Sequence, residues 1–440
     1  MKAAPPIRLL PVCLISACLL WPGASGIRAE DPGDWAKSNM ADLVKLYVHL
    51  HQNPELSFEE EKTGQRIGEE LEKAGCDVTW NVGGHGVVGI MKNGEGPTVM
   101  VRTDLDALPI VERTGRPYAS RVEVEDATGA AVGVMHACGH DIHMTSLIGT
   151  ARFLGAHKDQ WRGTLVFIGQ PAEERGSGAI AMLEDGLFKR FPKPDACLAL
   201  HVSGDLPAGR IAVRPGYIMA NVDSVDVTFH GLGGHGAYPH VAIDPIVQAA
   251  RFVMDVQTVV SREVKPLEPA VITVGSIHAG TKHNIIPDNC HLQLTVRSYS
   301  DETRKKLLDG IKRKAEAAAA SSQAPQPEVS VSEGTPSLYN DDELTGRLVG
   351  VFRDKLGDQA VVEAEPVMGG EDFSQYSRQG GMPGMLFWLG TVEQDRLDRY
   401  ARMGIPIPGL HSAEYWPDPE PSLQTGVTAM SHAVLDLMKP

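Results

Sequence analysis

Short apolar runs alternate with helical repeats over the first half of this chain, and that alternation most narrows its fold. The runs GVVGIM, PTVMVRTD, GTLVFIGQP and DACLALHV read as buried strands, with HMTSLIGTARFLGAH as a helix between the second and third. Ahead of them, MADLVKLYVHLHQ and TGQRIGEELEKAG carry apolar residues at helical spacing, the second closed by a glycine. Buried strands alternating with helices predict an α/β layer covered on both faces. In such layers chemistry collects on loops beyond the strand ends. RTDLDALP, QPAEE and His201, which closes CLALH, all fall there.

The pattern changes near Gly216. NVDSVDVTFHG alternates with period two, and DPIVQAARFVMDVQTVVSRE reads as an amphipathic helix. AVITVGSIHAG and CHLQLTVRSYS follow as strands, DETRKKLLDGIKRKAEAAAASS as a helix, and PEVSVSEG as a last strand. That order is β-α-β-β-α-β, the ferredoxin-like pattern, and it is self-contained. From about residue 335 helix and strand alternate again, through DDELTGRLVGVFRDKLG and MPGMLFWLG to a terminal helix from Leu423 to Met438. The predicted architecture is therefore an α/β catalytic layer of mixed sheet, 30–215 and 335–440, interrupted by an α+β domain at 216–334. A chain of 440 residues also exceeds one ordinary core, which agrees with two domains.

The first 29 residues read as a separate object. Lys2 and Arg8 precede an apolar run from Leu9 to Trp21 and then the small residues PGASG, the layout of a secretory signal. Secretion or a periplasmic location is expected. ISAC, ending at Cys18, would also suit a lipoprotein site, but Leu19, Leu20 and Trp21 continue the apolar run where a polar tether belongs. The run is short for a membrane span. A formal net charge of −15, spread along the chain, argues against nucleic acid or anionic lipid as a partner. Cys76, Cys138, Cys197 and Cys290 are widely spaced and make no disulfide framework.

The stretch GVMHACGHDIHM packs His136, Cys138, His140, Asp141 and His143 into eight positions. In an extended segment Cys138 and His140 would project to one side, and thiolate plus imidazole suits zinc or a similar divalent ion. Taken alone, C-x-H is a weak signal, and a buried cysteine beside surface histidines is the better reading of it. Glu173 and Glu174 follow an apolar strand directly and are poor core material. One carboxylate of such a pair can ligate a metal while its neighbour handles a proton. His201 and His411 are individually ordinary. Together the five donors sit on loops of one α/β layer, enough for two cations. A cysteine nucleophile is the weaker reading, because it leaves Glu173, Glu174, His201 and His411 without work.

RTDLDALP, GVMHACGHDIHMTSLIGTA, PAEE, GGHGAYPHVAIDP, NIIPD, GGEDFSQY and LHSAEYW occur in this order. The series resembles the metal-dependent amidohydrolases related to hippurate hydrolase, indole-acetyl-amino-acid hydrolase and bacterial N-acyl-amino-acid hydrolase. The resemblance runs from about residue 35 to the end of the chain. It implies a dinuclear metallopeptidase domain with an inserted dimerisation domain, hence a homodimer. Two divalent ions, zinc or manganese first and cobalt or nickel next, would be held by Cys138 as a bridge, His140, Glu174, His201 and His411. Glu173 matches the general base and Asp106 an orienting carboxylate. His235 matches a histidine that reaches the partner subunit's active site. Asn284 and Arg297 match the grip on the substrate carboxylate, for which the arginine fork is suited. RVEVEDATGAAV is longer than in compact members and reads as an added hairpin, and HSAE lacks the usual proline after Ser412.

The expected function is hydrolysis of the amide of N-acyl or N-aroyl amino acids, small molecules, through a metal-activated water. A carboxypeptidase trimming short peptides is the alternative within the same chemistry. A binding protein on the same scaffold is the other, and it has no need of Glu173.

Overall fold

The computed structural model describes residues 1–6, 30–125 and 129–440. The predicted leader falls almost wholly outside them, as does Cys18. Met1–Glu30 is a unit of its own, and Asp31–Pro440 forms a second one that carries the regular structure of the described residues.

Asp31 caps helix α1 (Pro32–Ser38) through Gly33 N, with proline in the first turn where its missing N–H costs nothing. Helices α2 (Met40–Gln52) and α3 (Glu61–Lys73) follow, then strands β1 (Asp77–Trp80), β2 (Val87–Asn93) and β3 (Thr98–Asp104). β4 (Glu123–Glu125) and β5 (Ala131–Gly133) pair antiparallel, as expected of RVEVEDATGAAV. Next come α4 (His140–Ala156), β6 (Gly163–Gln170), α5 (Gly178–Glu184), α6 (Leu187–Arg190), β7 (Ala196–Pro207) and β8 (Ile211–Val213). After β9 (Gly216–Met219) the chain builds β10 (Asn221–His230), β11 (Gly234–His235), α7 (Pro245–Thr258), β12 (Ala270–Ala279), β13 (Ile285–Ile286), β14 (Asn289–Ser298), α8 (Asp301–Ser321) and β15 (Glu328–Thr335). β16 (Leu338–Asn340), α9 (Asp342–Leu356), β17 (Val361–Glu363), α10 (Ser374–Gly380), β18 (Gly384–Val392), α11 (Gln394–Met403) and α12 (Pro419–Leu437) complete it.

The main sheet has eight strands in the order β1-β2-β6-β3-β7-β18-β8-β17. Its centre is parallel, β6 with β3, β3 with β7 and β7 with β18, while β1, β2 and the β18–β8 pair are antiparallel. Alternate residues feed two cores. Val99, Val101, Leu165 and Phe167 pack toward α2, α4, α9 and α12, and Met100, Val166 and Ile168 toward α5 and α10. Helix α4 is buried on every side from His140 to Ala151, so its polar residues make no solvent-facing stripe and bond inside the protein instead, as Asp141 and His143 do.

The second sheet is antiparallel in the order β12-β14-β10-β15. With α7 and α8 on one face it is the ferredoxin-like arrangement that the strand and helix order predicts. Phe229, Phe252, Leu292, Leu294, Val296, Leu307 and Ile311 form its separate core. The chain leaves and returns through a paired neck, β9 with β16. Asn340 stitches that neck to the main sheet. Its amide donates to the carbonyls of Arg214 (3.0 Å) and Leu386 (2.8 Å), and its oxygen accepts from Leu386 N (2.8 Å). Asn340→Leu strands three buried backbone groups, and a loss of about 3 kcal/mol is expected, read as a lower urea midpoint. A change below about 0.5 kcal/mol would show that the neck does not depend on these bonds.

Candidate metal centre

Five chain segments converge where β3, β6 and β7 present their carboxyl ends. Asp104 ends β3, and Asp106 follows it. Beyond β6 the backbone turns through Ala172, a non-glycine residue in the left-handed region (φ 49°), and so delivers Glu173 and Glu174. Gly178 allows that turn, since a Cβ there would lie 1.5 Å from the Pro171 carbonyl. His411 sits in the loop before α12, also left-handed (φ 63°), with its N–H donated to the Ala137 carbonyl at 2.9 Å. That one bond ties the end of the chain to the residue before Cys138.

Two expectations about local geometry are corrected. Cys138 and His140 do not lie on an extended segment. Gly139 turns at φ 75° as the N-cap of α4, and His140 opens the helix. A side chain at 139 would meet Val202 at 2.7 Å, so the two donors converge through a glycine turn, not by strand alternation. His201 does not end its strand either. β7 runs on to Pro207, its pairing with β3 stops at Ala199, and His201 beyond that point stays paired with Trp388 of β18 and lines the cavity.

The donor atoms of Cys138, His140 and His201 all lie within 4.8 Å of one another, as do those of Cys138, Glu174 and His411, and of His140, Glu173 and Glu174. Cys138 is common to the first two groups, the arrangement a bridging thiolate requires. The protonation pattern fits as well. His140 Nδ1 donates to the Asp106 carbonyl (2.8 Å) and His201 Nδ1 to the Val202 carbonyl (2.9 Å), which leaves each Nε2 facing the cluster. His140 Nε2 and Glu174 Oε1 are buried with no hydrogen-bond partner. His201 Nε2 stands 3.6 Å from Cys138 Sγ, and His411 Nε2 3.4 Å from Glu174 Oε2. His411 is the exposed member.

Charge points the same way. Burial pushes Glu173 well above the usual carboxylate range, and Glu371, Glu174 and Asp372 push it further. Burial also raises Glu174 to about 7 and the Cys138 thiol well above its ordinary value. Burial disfavours a charged His140, yet Asp104 and Asp106 overcome it and lift its pKa to about 10. A buried site this negative, with a thiol and two inward Nε2 atoms, is suited to divalent cations, whose charge would take the place of the proton that the carboxylates hold on His140.

Further residues support the cluster, and of these Ser57, Glu60, His51, Asp104, Glu112, Glu371 and Asp372 went unassigned in the sequence. Asp106 Oδ2 accepts from Ser57 Oγ (2.7 Å) and Glu174 N (3.0 Å), and its backbone carbonyl accepts from His140, so the expected orienting residue holds both a histidine and the backbone of a glutamate of the cluster. His143 bonds Asp104 Oδ1 (2.7 Å) and accepts from Val202 N (2.9 Å), fixing α4 against β7. His136 is buried with neither ring nitrogen bonded, and burial lowers its pKa to about 4, so it supports by packing alone. Glu60 accepts from Ala172 N (2.7 Å) and so holds the turn before Glu173. His51 bridges Asp141 (2.6 Å) and Glu112 (3.2 Å); these carboxylates overcome its burial and raise its pKa to about 9. GGEDFSQY supplies Glu371 and Asp372, both paired with the buried Arg102.

A cavity of about 1340 Å³ opens from the cluster. Cys138, Glu173, Glu174, His201 and His411 line its inner end, and Arg297 of β14 lines it from the second sheet. His235 and Asn284 lie elsewhere. They meet on the β11–β13 ribbon, where Gly236 N donates to the Asn284 carbonyl (2.8 Å); both are exposed and neither lines the cavity.

Comparison with known proteins agrees with this geometry. Residues 100–401 match the family described as Peptidase family M20/M25/M40. The chain is 36% identical over 397 residues to thermostable carboxypeptidase 2 of Saccharolobus solfataricus, covering 89% of this chain and 94% of that protein. It is 38% identical over 352 residues to the N-acetylcysteine deacetylase of Bacillus subtilis, 79% of this chain and 88% of that one. A Bacillus subtilis crystal structure, described as a dinuclear metal binding peptidase of the M20 family, superposes with a TM-score of 0.73 at 31% identity, over 91% of this chain and 99% of that one. The chain belongs to peptidase family M20/M25/M40 and is a metal-dependent hydrolase of C–N amide bonds.

Proposed function

We propose that this protein is an exported hydrolase of N-acyl or N-aroyl amino acids, acting as a homodimer. The observation that supports the substrate class is the cavity, whose lining joins Arg297 of the second sheet to residues of the donor cluster. Arg297 is half-buried, with Nε bonded to Thr295 Oγ1 at 3.1 Å and its remaining donors available for a carboxylate. An amino acid gripped there presents its acylated nitrogen toward Glu173 and the cluster.

Cys138, His140, Glu174, His201 and His411 would hold two divalent cations, which supply when bound an activated water and a polarised carbonyl. Thiolate, imidazole and carboxylate together suit zinc, with manganese, cobalt and nickel as further occupants. Glu173 takes the proton of the attacking water and returns it to the leaving amine. Its buried, acid-crowded setting raises its basicity for that task. Asp106 keeps His140 and Glu174 aimed. His235 and Asn284, remote from the cavity of their own chain, would act on the second subunit's substrate. Exposed Leu232, Tyr238, Ile277 and Ile285 on and near the outer strand β12 favour such pairing. The apolar leader favours export; no helix among the described residues is long and apolar enough to cross a membrane.

The substrate class is checked by kcat/KM on N-acyl amino acids against dipeptides with a free N-terminus, in metal-replete protein. N-acyl amino acids are expected to be favoured; a preference for dipeptides would establish the carboxypeptidase alternative. The role of Glu173 is checked separately. Glu173→Gln should keep its metal content while kcat falls by about 10²–10⁴-fold, the usual contribution of a general base. Near-normal turnover in the metal-loaded variant would remove Glu173 from the mechanism, and no turnover of any amide by wild type would favour the binding-protein alternative.

A further inference from the structure

The two sheets face each other across the cavity, and each contributes one in-register row of side chains. On the second sheet the row is Thr335, Val222, Arg297 and Val271, successive partners from β15 through β10 and β14 to β12. On the main sheet it is His201, Trp388, Ala212 and Val362, successive partners from β7 through β18 and β8 to β17. All eight line the cavity. Residues directly opposite one another in a sheet share a face, so each row is one continuous strip of wall.

We infer that the main-sheet row is the floor of an acyl subsite for a neutral apolar group of benzoyl size or larger. The inference rests on the N-acyl amino acid reading above. With the carboxylate on Arg297 and the amide at the donor cluster, the acyl group is left to run along the row that starts at His201. Trp388 is the first step, its ring edge-on to His201 with centroids 5.2 Å apart. Ala212 and Val362 follow, and strand spacing places Val362 about 14 Å from His201. An acetyl group reaches no further than the first step, so most of the strip would face nothing.

The strip is apolar, and small at its middle. Ala212 and Ala364 leave space above the floor, while Leu206, Met219 and Ile407 wall it. Charge then restricts the acyl group further. The charged side chains beside the floor strip are Asp205 of β7, Glu363 of β17 and Glu365 just beyond it, all exposed carboxylates, while the cavity's cations are Arg297 and Arg175, the latter next to Glu174 in the chain. The carboxylates would repel a second carboxylate at the outer end of the acyl group, so succinyl and similar anionic acyl groups are disfavoured.

The test compares kcat/KM for N-acetyl, N-benzoyl, N-(3-phenylpropionyl) and N-succinyl forms of one amino acid in metal-loaded protein. Benzoyl is expected to exceed acetyl by at least about tenfold, and succinyl to be slowest. Ala212→Leu fills the floor and should lower the benzoyl-to-acetyl ratio by at least about tenfold. Val362→Phe, two strands further out, should lower the phenylpropionyl-to-acetyl ratio in the same way. Ratios cancel any loss of active protein in either variant. A wild-type preference for acetyl or succinyl, or ratios unchanged in both variants, overturns the subsite while leaving the N-acyl reading intact. Cleavage of dipeptides with no N-acyl amino acid turned over overturns both.

Discussion

Arg102 projects from β3 into a site without solvent, and two strand ends and one loop are arranged around its guanidinium. It donates to Asp104 (2.8 Å) on its own strand, to Gln170 (3.0 Å) at the end of β6, and to Glu371 (2.8 Å) and Asp372 (3.2 Å) in the loop before α10. The set is completed by Gln170 to Asp372 (2.6 Å) and by Ala179 N to the other Asp372 oxygen (3.0 Å). A buried ion of this kind is costly to leave unpaired, about 3–5 kcal/mol when one partner is removed. The carboxyl ends of the strands are thereby fixed relative to one another, and those ends carry the donor cluster. Asp104 in turn holds His143, and His143 holds the backbone of Val202 beside His201.

The same set is short of positive charge. One guanidinium faces Asp104, Glu371 and Asp372, with Asp106, Glu173 and Glu174 next to them. Burial and its acidic neighbours raise Asp372 to about 7 even with Arg102 against it. Divalent cations at the Cys138 groups would complete that balance, and they would do so beside the one carboxylate proposed as base. The negative interior therefore serves two ends: it favours cations, and it makes Glu173 basic enough to accept a proton.

Much of this was legible in the residues. Apolar runs and helical spacing located β2, β3, β6, β7, β10, β12, β14, β15 and β18, because these elements bury residues in a regular period. The short strands β1, β8, β9, β16 and β17 were not legible, since three or four residues carry no periodic signal, and the exposed helix α11, which buries no residue, went unassigned. The donors Cys138, His140, Glu174, His201 and His411 were legible as residue types near strand ends. The way they converge was not: a glycine turn at 139, a left-handed Ala172 and a left-handed His411 are backbone choices that composition does not announce. Arg102 stayed hidden because an arginine inside an apolar run looks like a strand edge until its three acids, up to 270 positions away, come together. His235 and Asn284 were named from resemblance, and their place on an exposed ribbon explains why spacing within one chain could not have found them.

The account depends above all on Cys138 being a shared metal ligand and not a nucleophile or a packing residue. X-ray absorption on the metal-loaded, active protein reads this directly. A sulfur scatterer at about 2.3 Å from zinc is expected, and it should vanish in Cys138→Ser. A shell of nitrogen and oxygen alone in the fully active protein would contradict the centre described here.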